Sequence, residues 1–198
     1  MSRPRIVLER RDAVAAILRD RGDALVVTGL GSPTWDVAAA GDSPLDFYLW
    51  GAMGGAAMVG LGLALAQPRR RVVVITGDGE LLMGMGSLAT IGAERTSNLS
   101  IVVLDNEHYG ETGMQASHTA RGVDLAAIAA AANFASATTV YTREELDAWI
   151  PTVYGHPGPM LGVVKVMANQ PALDVPVRDG TYIKTRFREA LLGAKAFE

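Results

Sequence analysis

Two short apolar runs, Val72–Thr76 and Ser100–Leu104, constrain the fold of this chain more than any other feature. Each is a continuous, largely β-branched stretch, the pattern of a strand buried on both faces. Gly77-Asp78-Gly79 breaks the first run and lets the backbone turn sharply into a predicted helix over roughly Leu81–Arg95. Asn98 ends that helix, and the second strand follows. Two such strands joined through a helix form a right-handed parallel crossover, so Asp78 and Asn106 both follow the carboxyl ends of strands. That edge is where open α/β sheets bind ligands.

The alternation continues on both sides. Glu9–Arg21 puts Val14, Ile17 and Leu18 on one helix face closed by Gly22, and Ala24–Thr28 is a buried strand. Leu45–Leu49 is a short strand, followed by a helix to about Ala66 that is dense in glycine and alanine. Small side chains let a helix approach a sheet or another backbone closely, despite their cost in propensity. Asp124 caps a helix through Ala132, a strand lies near Phe134–Val140, and a helix starts at Thr142 with Glu144 and Glu145 in its first turn. Met160–Met167 is the last buried strand, Asn169–Asp179 a meandering connection, and Tyr182–Leu192 a terminal helix carrying Lys184, Arg186 and Arg188. Those cations reach an anionic substrate, a partner or only solvent. The expected class is α/β: a doubly wound, mostly parallel sheet of about six strands in a single domain over residues 1–198.

Composition narrows the function. Hydrophobic content of 49% with 20% charged residues is ordinary for a globular protein. A net charge of −3 gives no footprint for nucleic acid or an anionic membrane. The chain has no cysteine, which removes disulfides, thiolate metal sites and a cysteine nucleophile. Met1–Arg11 is charged rather than apolar, and Gly51–Ala66 is short for a membrane span. The expected location is the cytoplasm.

Asp78 and Asn106 carry the chemistry. A carboxylate, an amide oxygen and a loop carbonyl are hard donors suited to Mg²⁺, which keeps a water and takes its remaining ligands from phosphates. Free N–H groups at the start of the helix beside Asp78 suit a diphosphate. A Gly-Asp-Gly turn also occurs in ordinary loops, so the Asn at matching topology matters. Gly29-Leu30-Gly31-Ser32-Pro33-Thr34 imitates a dinucleotide fingerprint, but Thr34 stands where the third glycine belongs. Leu49 and Trp50 occupy the region where its acidic residue is expected, so a nicotinamide site is the weaker reading.

The spacing from Asp78 to Asn106, 106 − 78 = 28 positions, resembles the motif of the thiamine diphosphate enzymes. The family usually carries Asn-Asn where this chain has Asp105-Asn106, and the second residue is the ligand. The resemblance therefore implies metal ligation by Asp78, Asn106 and the carbonyl of His108. It implies cofactor contacts from Gly77, Gly79, Glu80 and Leu81 around the turn, with no contact from the Glu80 side chain, and from Tyr109 and Gly110. Gly31 and Ser32 lie against the diphosphate in the same picture. A Gly-x-Met-Gly segment stands 78 − 53 = 25 positions before the metal Asp, as in the family. By that resemblance Met53 wedges beneath the bent cofactor and the Gly51 carbonyl accepts from its aminopyrimidine; otherwise Met53 is core filler. The Thr112-Gly113-Met114-Gln115 loop resembles that of sulfopyruvate and phosphonopyruvate decarboxylases, and of some 2-oxoacid:ferredoxin oxidoreductases. His118 is a candidate substrate or proton-transfer residue there, and the His108 side chain a weaker one, although a loop histidine is more often a solvated bystander.

The resemblance runs from Ala24 to at least Met167 and covers the diphosphate-binding domain alone. In the family a second domain recognises the aminopyrimidine and supplies an activating glutamate. Here that half is expected from an α subunit, in a hetero-oligomer such as α2β2 or larger. The implied function is the β subunit of a two-subunit, sulfopyruvate-type decarboxylase acting on a small 2-oxoacid with thiamine diphosphate and Mg²⁺. The alternatives are the cofactor-binding subunit of a 2-oxoacid oxidoreductase, or a non-catalytic domain that binds cofactor or partner.

Overall fold

The computed structural model describes residues 5–198, so the reading of Met1–Arg11 falls partly outside the described residues. The chain runs through α1 (Arg10–Leu18), β1 (Leu25–Thr28), α2 (Ser32–Ala39), β2 (Asp46–Tyr48), α3 (Ala56–Ala66), β3 (Val72–Gly77), α4 (Asp78–Met83) and α5 (Ser87–Glu94). It continues through β4 (Leu99–Asp105), β5 (His108–Tyr109), β6 (Gln115–Ala116), α6 (Leu125–Ala131), β7 (Ser136–Val140), α7 (Arg143–Gly155), β8 (Met160–Lys165) and α8 (Gly180–Leu192).

One six-stranded sheet has the order β2-β1-β3-β4-β8-β7, with every neighbouring pair parallel. The expected doubly wound α/β architecture is what forms. Successive side chains of a strand point to opposite faces, and here both faces are covered. Val73, Ile75, Val102 and Leu104 pack with Val14, Val37 and Trp149 from α1, α2 and α7. Val72, Val74, Ile101 and Val103 pack with Leu61, Ile91 and Ala129 from α3, α5 and α6. The strand order reverses direction at β1 and β3, and the crevice at such a switch point is the natural place for a ligand.

Local signals hold at most boundaries. Asp124 accepts from the Ala127 amide, and Thr142 with Glu145 forms a capping box on α7. The helix expected over Leu81–Arg95 is instead two, α4 and α5, parted at Gly84-Met85-Gly86. The cause is a backbone contact. A Cβ on Gly54, whose φ is +88°, would stand 2.7 Å from the Gly84 nitrogen, so the two glycines let the chain segments touch. Two of the three terminal cations are used within the chain: Arg186 pairs with Asp42 at 2.6 Å, and Arg188 donates to the Ala196 carbonyl, while Lys184 is exposed. The 168–179 connection has no regular structure and is tied down where Trp50 Nε1 donates to the Val177 carbonyl at 2.9 Å. Among the described residues no helix is long and apolar enough to cross a membrane.

Candidate functional site

The carboxyl ends of β1, β3 and β4 open onto one cavity. Of the residues singled out in the sequence, Ser32, Met53, Gly77, Asp78, Gly79, Glu80, Asn106, His108, Tyr109 and Gly110 line it. Gly31, Gly51, Leu81 and His118 are not in its lining. Leu81 faces the core at 2% exposure, and Gly51 lies on an exposed segment before Met53. Gly31 begins α2, and a side chain there would fall on the Glu111 carboxylate. His118 is exposed, with Nδ1 3.1 Å from the Tyr109 hydroxyl.

Asp78 begins α4 directly after β3 and is 2% exposed. Such a carboxylate needs partners. Ser117 donates to its Oδ2 at 2.5 Å, and Thr119 stands 3.2 Å from the same atom. Thr119 has one hydroxyl proton, and its shorter contact, 2.8 Å, gives that proton to Asp105. Neither hydroxyl engages Asp78 Oδ1. Burial, and then the charge of Asp105, push the Asp78 carboxyl well above its ordinary range, against the pull of Ser117 and Thr119. A cation beside it relieves both causes.

Asp105 and Asn106 are neighbours with different duties. Asp105 is 1% exposed; it meets Lys165 at 2.8 Å and accepts from the Glu107 amide at 3.0 Å. Lys165 also reaches Glu107 at 2.8 Å. Burial works against the lysine charge, but the bonds to Asp105 and Glu107 hold its ammonium above the ordinary value. Asp105 is thus occupied within the chain, as the choice of Asn106 for ligand requires. Asn106 lines the cavity, and its Oδ1 accepts from the His108 amide at 2.9 Å, which shapes the loop. Beyond it, β5 and β6 pair His108 with Ala116 and return the chain to Ser117.

Tyr109 covers the turn from above: a Cβ on Gly79 would stand 2.6 Å from the tyrosine Cδ1, so only glycine fits beneath the ring. The Glu80 carboxylate accepts from the amides of Gly54 and Ala56. Burial pushes Glu80 up, against those two amides.

A profile of the thiamine pyrophosphate enzymes, built on their C-terminal TPP-binding domain, matches residues 31–164. The chain belongs to that family. Over 191 residues, this TPP-binding domain is 38% identical to a sulfopyruvate decarboxylase subunit beta from Methanothermobacter thermautotrophicus, with 96% of this chain and 98% of that one aligned. It is 42% identical over 139 residues to a phosphonopyruvate decarboxylase of Streptomyces viridochromogenes, covering 70% of this chain and 34% of that one. Among solved structures, the benzoylformate decarboxylase of Polynucleobacter necessarius shares the fold with a TM-score of 0.74 at 20% identity, over 87% of this chain and 36% of that one. The TPP-binding domain thus spans nearly a whole β subunit, and about a third of the longer relatives.

Sequence reasoning missed four contributors. Ser117 holds Asp78, Lys165 and Thr119 hold Asp105, and Arg10 lines the cavity while paired with Asp36. For Ser117 and Thr119 the only signal was two hydroxyls in a polar loop. Arg10 gave none.

Proposed function

We propose that this chain is the diphosphate-anchoring β subunit of a two-subunit, thiamine diphosphate-dependent 2-oxoacid decarboxylase of the cytoplasm, similar to sulfopyruvate and phosphonopyruvate decarboxylases. The observation that carries the reading is the likeness to a sulfopyruvate decarboxylase subunit beta, 98% of whose length aligns. It favours a decarboxylase over an oxidoreductase subunit or a silent binding domain, and it leaves the other half of the active site to a partner chain.

The donor set fits Mg²⁺ and a diphosphate. Among the described residues no three His, Cys, Asp or Glu side chains gather to hold a metal by themselves. A hard cation here would take Asp78 Oδ1, the Asn106 amide oxygen and the His108 carbonyl, and complete its shell with phosphate oxygens and water. Ser117 fixes the Asp78 rotamer for that task. Ser32 would donate to the diphosphate from the β1 turn. Met53 would support the ring end of the cofactor, and Tyr109 would close over Gly79 to exclude water. When bound, thiamine diphosphate would supply the electron sink that decarboxylation of a 2-oxoacid needs. An α subunit would bring the pyrimidine-binding domain and its activating glutamate.

An apolar surface supports the heteromer. Met58 and Val59 on α3 are 40% and 36% exposed, and Met83 and Met85 beside the Gly54–Gly84 contact are 61% and 38% exposed. Exposed groups of this kind mark interaction surfaces. The loop from Glu107 to His118 is mostly polar; Glu111, Thr112, Gln115, Ala116 and His118 are its exposed side chains. The test is aldehyde release from sulfopyruvate and phosphonopyruvate by this chain with thiamine diphosphate, Mg²⁺ and a candidate α subunit. Absence of turnover with a partner that forms a stable complex overturns the decarboxylase reading.

A further inference from the structure

Glu80 is a buried carboxylate that the roles above leave unused. It is 5% exposed, and Oε1 accepts from the amides of Gly54 at 3.1 Å and Ala56 at 3.2 Å. Oε2 is buried with no hydrogen-bond partner. Burying a carboxylate is costly, so its retention asks for a return. The amides it takes open α3, an eleven-residue helix with no side-chain cap of its own. Gly54 directly follows Met53, and Ala56 comes two positions later. On either side of Met53 the backbone is held in unusual conformations, with Ala52 at φ +54° and Gly54 at φ +88°. On the other side the turn meets the Gly84 backbone. A turn so constrained needs an external tie to stay in one geometry.

We propose that Glu80 is a positioning residue: its carboxylate fastens the Met53 turn to the Asp78-Gly79 turn, so that the support for the cofactor's ring end and the anchor for its diphosphate move as one body. This rests on the thiamine diphosphate reading above. Asp78 and Glu80 are two residues apart on α4. One short helical turn therefore presents a carboxylate to the cavity and another to the neighbouring helix start. Reach decides the function, and charge is secondary. Glutamine keeps an oxygen at the Oε1 position, where it can accept from both amides. Aspartate keeps the charge but is one methylene too short.

The experiment compares two probes on the full-length chain and its Glu80→Gln, Glu80→Asp and Glu80→Ala variants, each with Mg²⁺. Inorganic diphosphate reads the anchor alone, and thiamine diphosphate reads anchor and support together. Glu80→Asp and Glu80→Ala are expected to lose about tenfold in affinity for thiamine diphosphate and less than about twofold for inorganic diphosphate, the loss being that of the two amide contacts. Glu80→Gln is expected to stay within about threefold of the parent for both probes. Amide hydrogen exchange at Gly54 and Ala56 should rise in Asp and Ala and remain low in Gln, with no cofactor present. Should Glu80→Ala fail to fold, the Asp and Gln pair decides alone. Equal loss for both probes, or a Gln variant no better than Asp, overturns the proposal. A parent chain that binds diphosphate but shows no preference for thiamine diphosphate overturns it too. A parent that binds neither probe overturns the cofactor reading itself, and the proposal with it.

Discussion

The two halves of the candidate site are built in opposite ways. At the ends of β3 and β4 the polar groups are buried and held by one another: Asp78 by Ser117, Asp105 by Lys165, Thr119 between the carboxylates. Around the Met53 turn the chain is apolar and open, with Met58, Val59, Met83 and Met85 exposed beside it. A buried polar network is a finished structure, because each unsatisfied member costs free energy. An exposed apolar surface is an unfinished one, because water gains when it is covered. Under the proposed function, the contrast assigns the diphosphate end of the cofactor to this chain and the ring end to a partner.

The largest expected effect tests that division directly. The chain alone, with thiamine diphosphate and Mg²⁺, is expected to show no measurable decarboxylation of 2-oxoacids, and to gain turnover by at least about a hundredfold with its α subunit. Steady-state assays of aldehyde release check it. Full turnover by the isolated chain would erase the contrast, because an activating acid would then lie within these 198 residues.

Next in size come the metal ligands. Asp78→Ala removes the only carboxylate proposed for the metal and leaves the Ser117 hydroxyl with the Thr119 hydroxyl, 2.9 Å away, as its remaining contact. Asn106→Ala removes the amide oxygen and the bond that shapes the His108 loop. Each is expected to weaken Mg²⁺-dependent cofactor retention by about a hundredfold, measured by calorimetric titration with and without chelator. Unchanged affinity in both would move the metal elsewhere. Met53→Ala works on the other half: turnover should fall about tenfold, and diphosphate-end affinity much less, because the anchor is untouched. Equal turnover would return Met53 to core filler.

The same contrast governs what the sequence made legible. Asp78 and Asn106 could be found because each ends an unbroken β-branched run, and strand ends are fixed by local pattern. Both core faces followed from the same runs; Val72 and Val73 point oppositely because neighbours in a strand must. The break between α4 and α5 had a signal, Gly84 and Gly86 within a single expected helix, but its cause is the distant Gly54 backbone. The Glu80 tie spans twenty-six positions to Gly54 and has no periodic signature. Ser117 reaches Asp78 across thirty-nine, after a ribbon of two two-residue strands that no pattern of apolar residues announces. Residues that hold the ligands in place are chosen by tertiary approach, and one sequence carries little trace of that choice.

Ser117→Ala tests the polar half most finely. The hydroxyl donates to Asp78 Oδ2, not to the oxygen proposed for the metal, so its removal leaves the proposed ligands intact. What changes is the freedom of the Asp78 carboxylate and the cost of keeping it charged. The Ser117 bond opposes the upward push of burial, so Asp78 should hold its proton more strongly in the variant. Thr119, 3.2 Å from the same oxygen, can turn its hydroxyl from Asp105 to Asp78 and recover part of the loss, since Lys165 still neutralises Asp105. The expected result is a drop in Mg²⁺ affinity of about tenfold, the range for removing a group that orients a metal ligand. Ser117→Thr should keep the bond and most of the affinity. A double variant, Ser117→Ala with Thr119→Val, then removes the substitute as well and should cost more than the two single changes added together, because each hydroxyl backs up the other. Strict additivity would mean the two hydroxyls act on separate carboxylates, with Thr119 serving Asp105 alone, and the polar half would be two independent ties instead of one network.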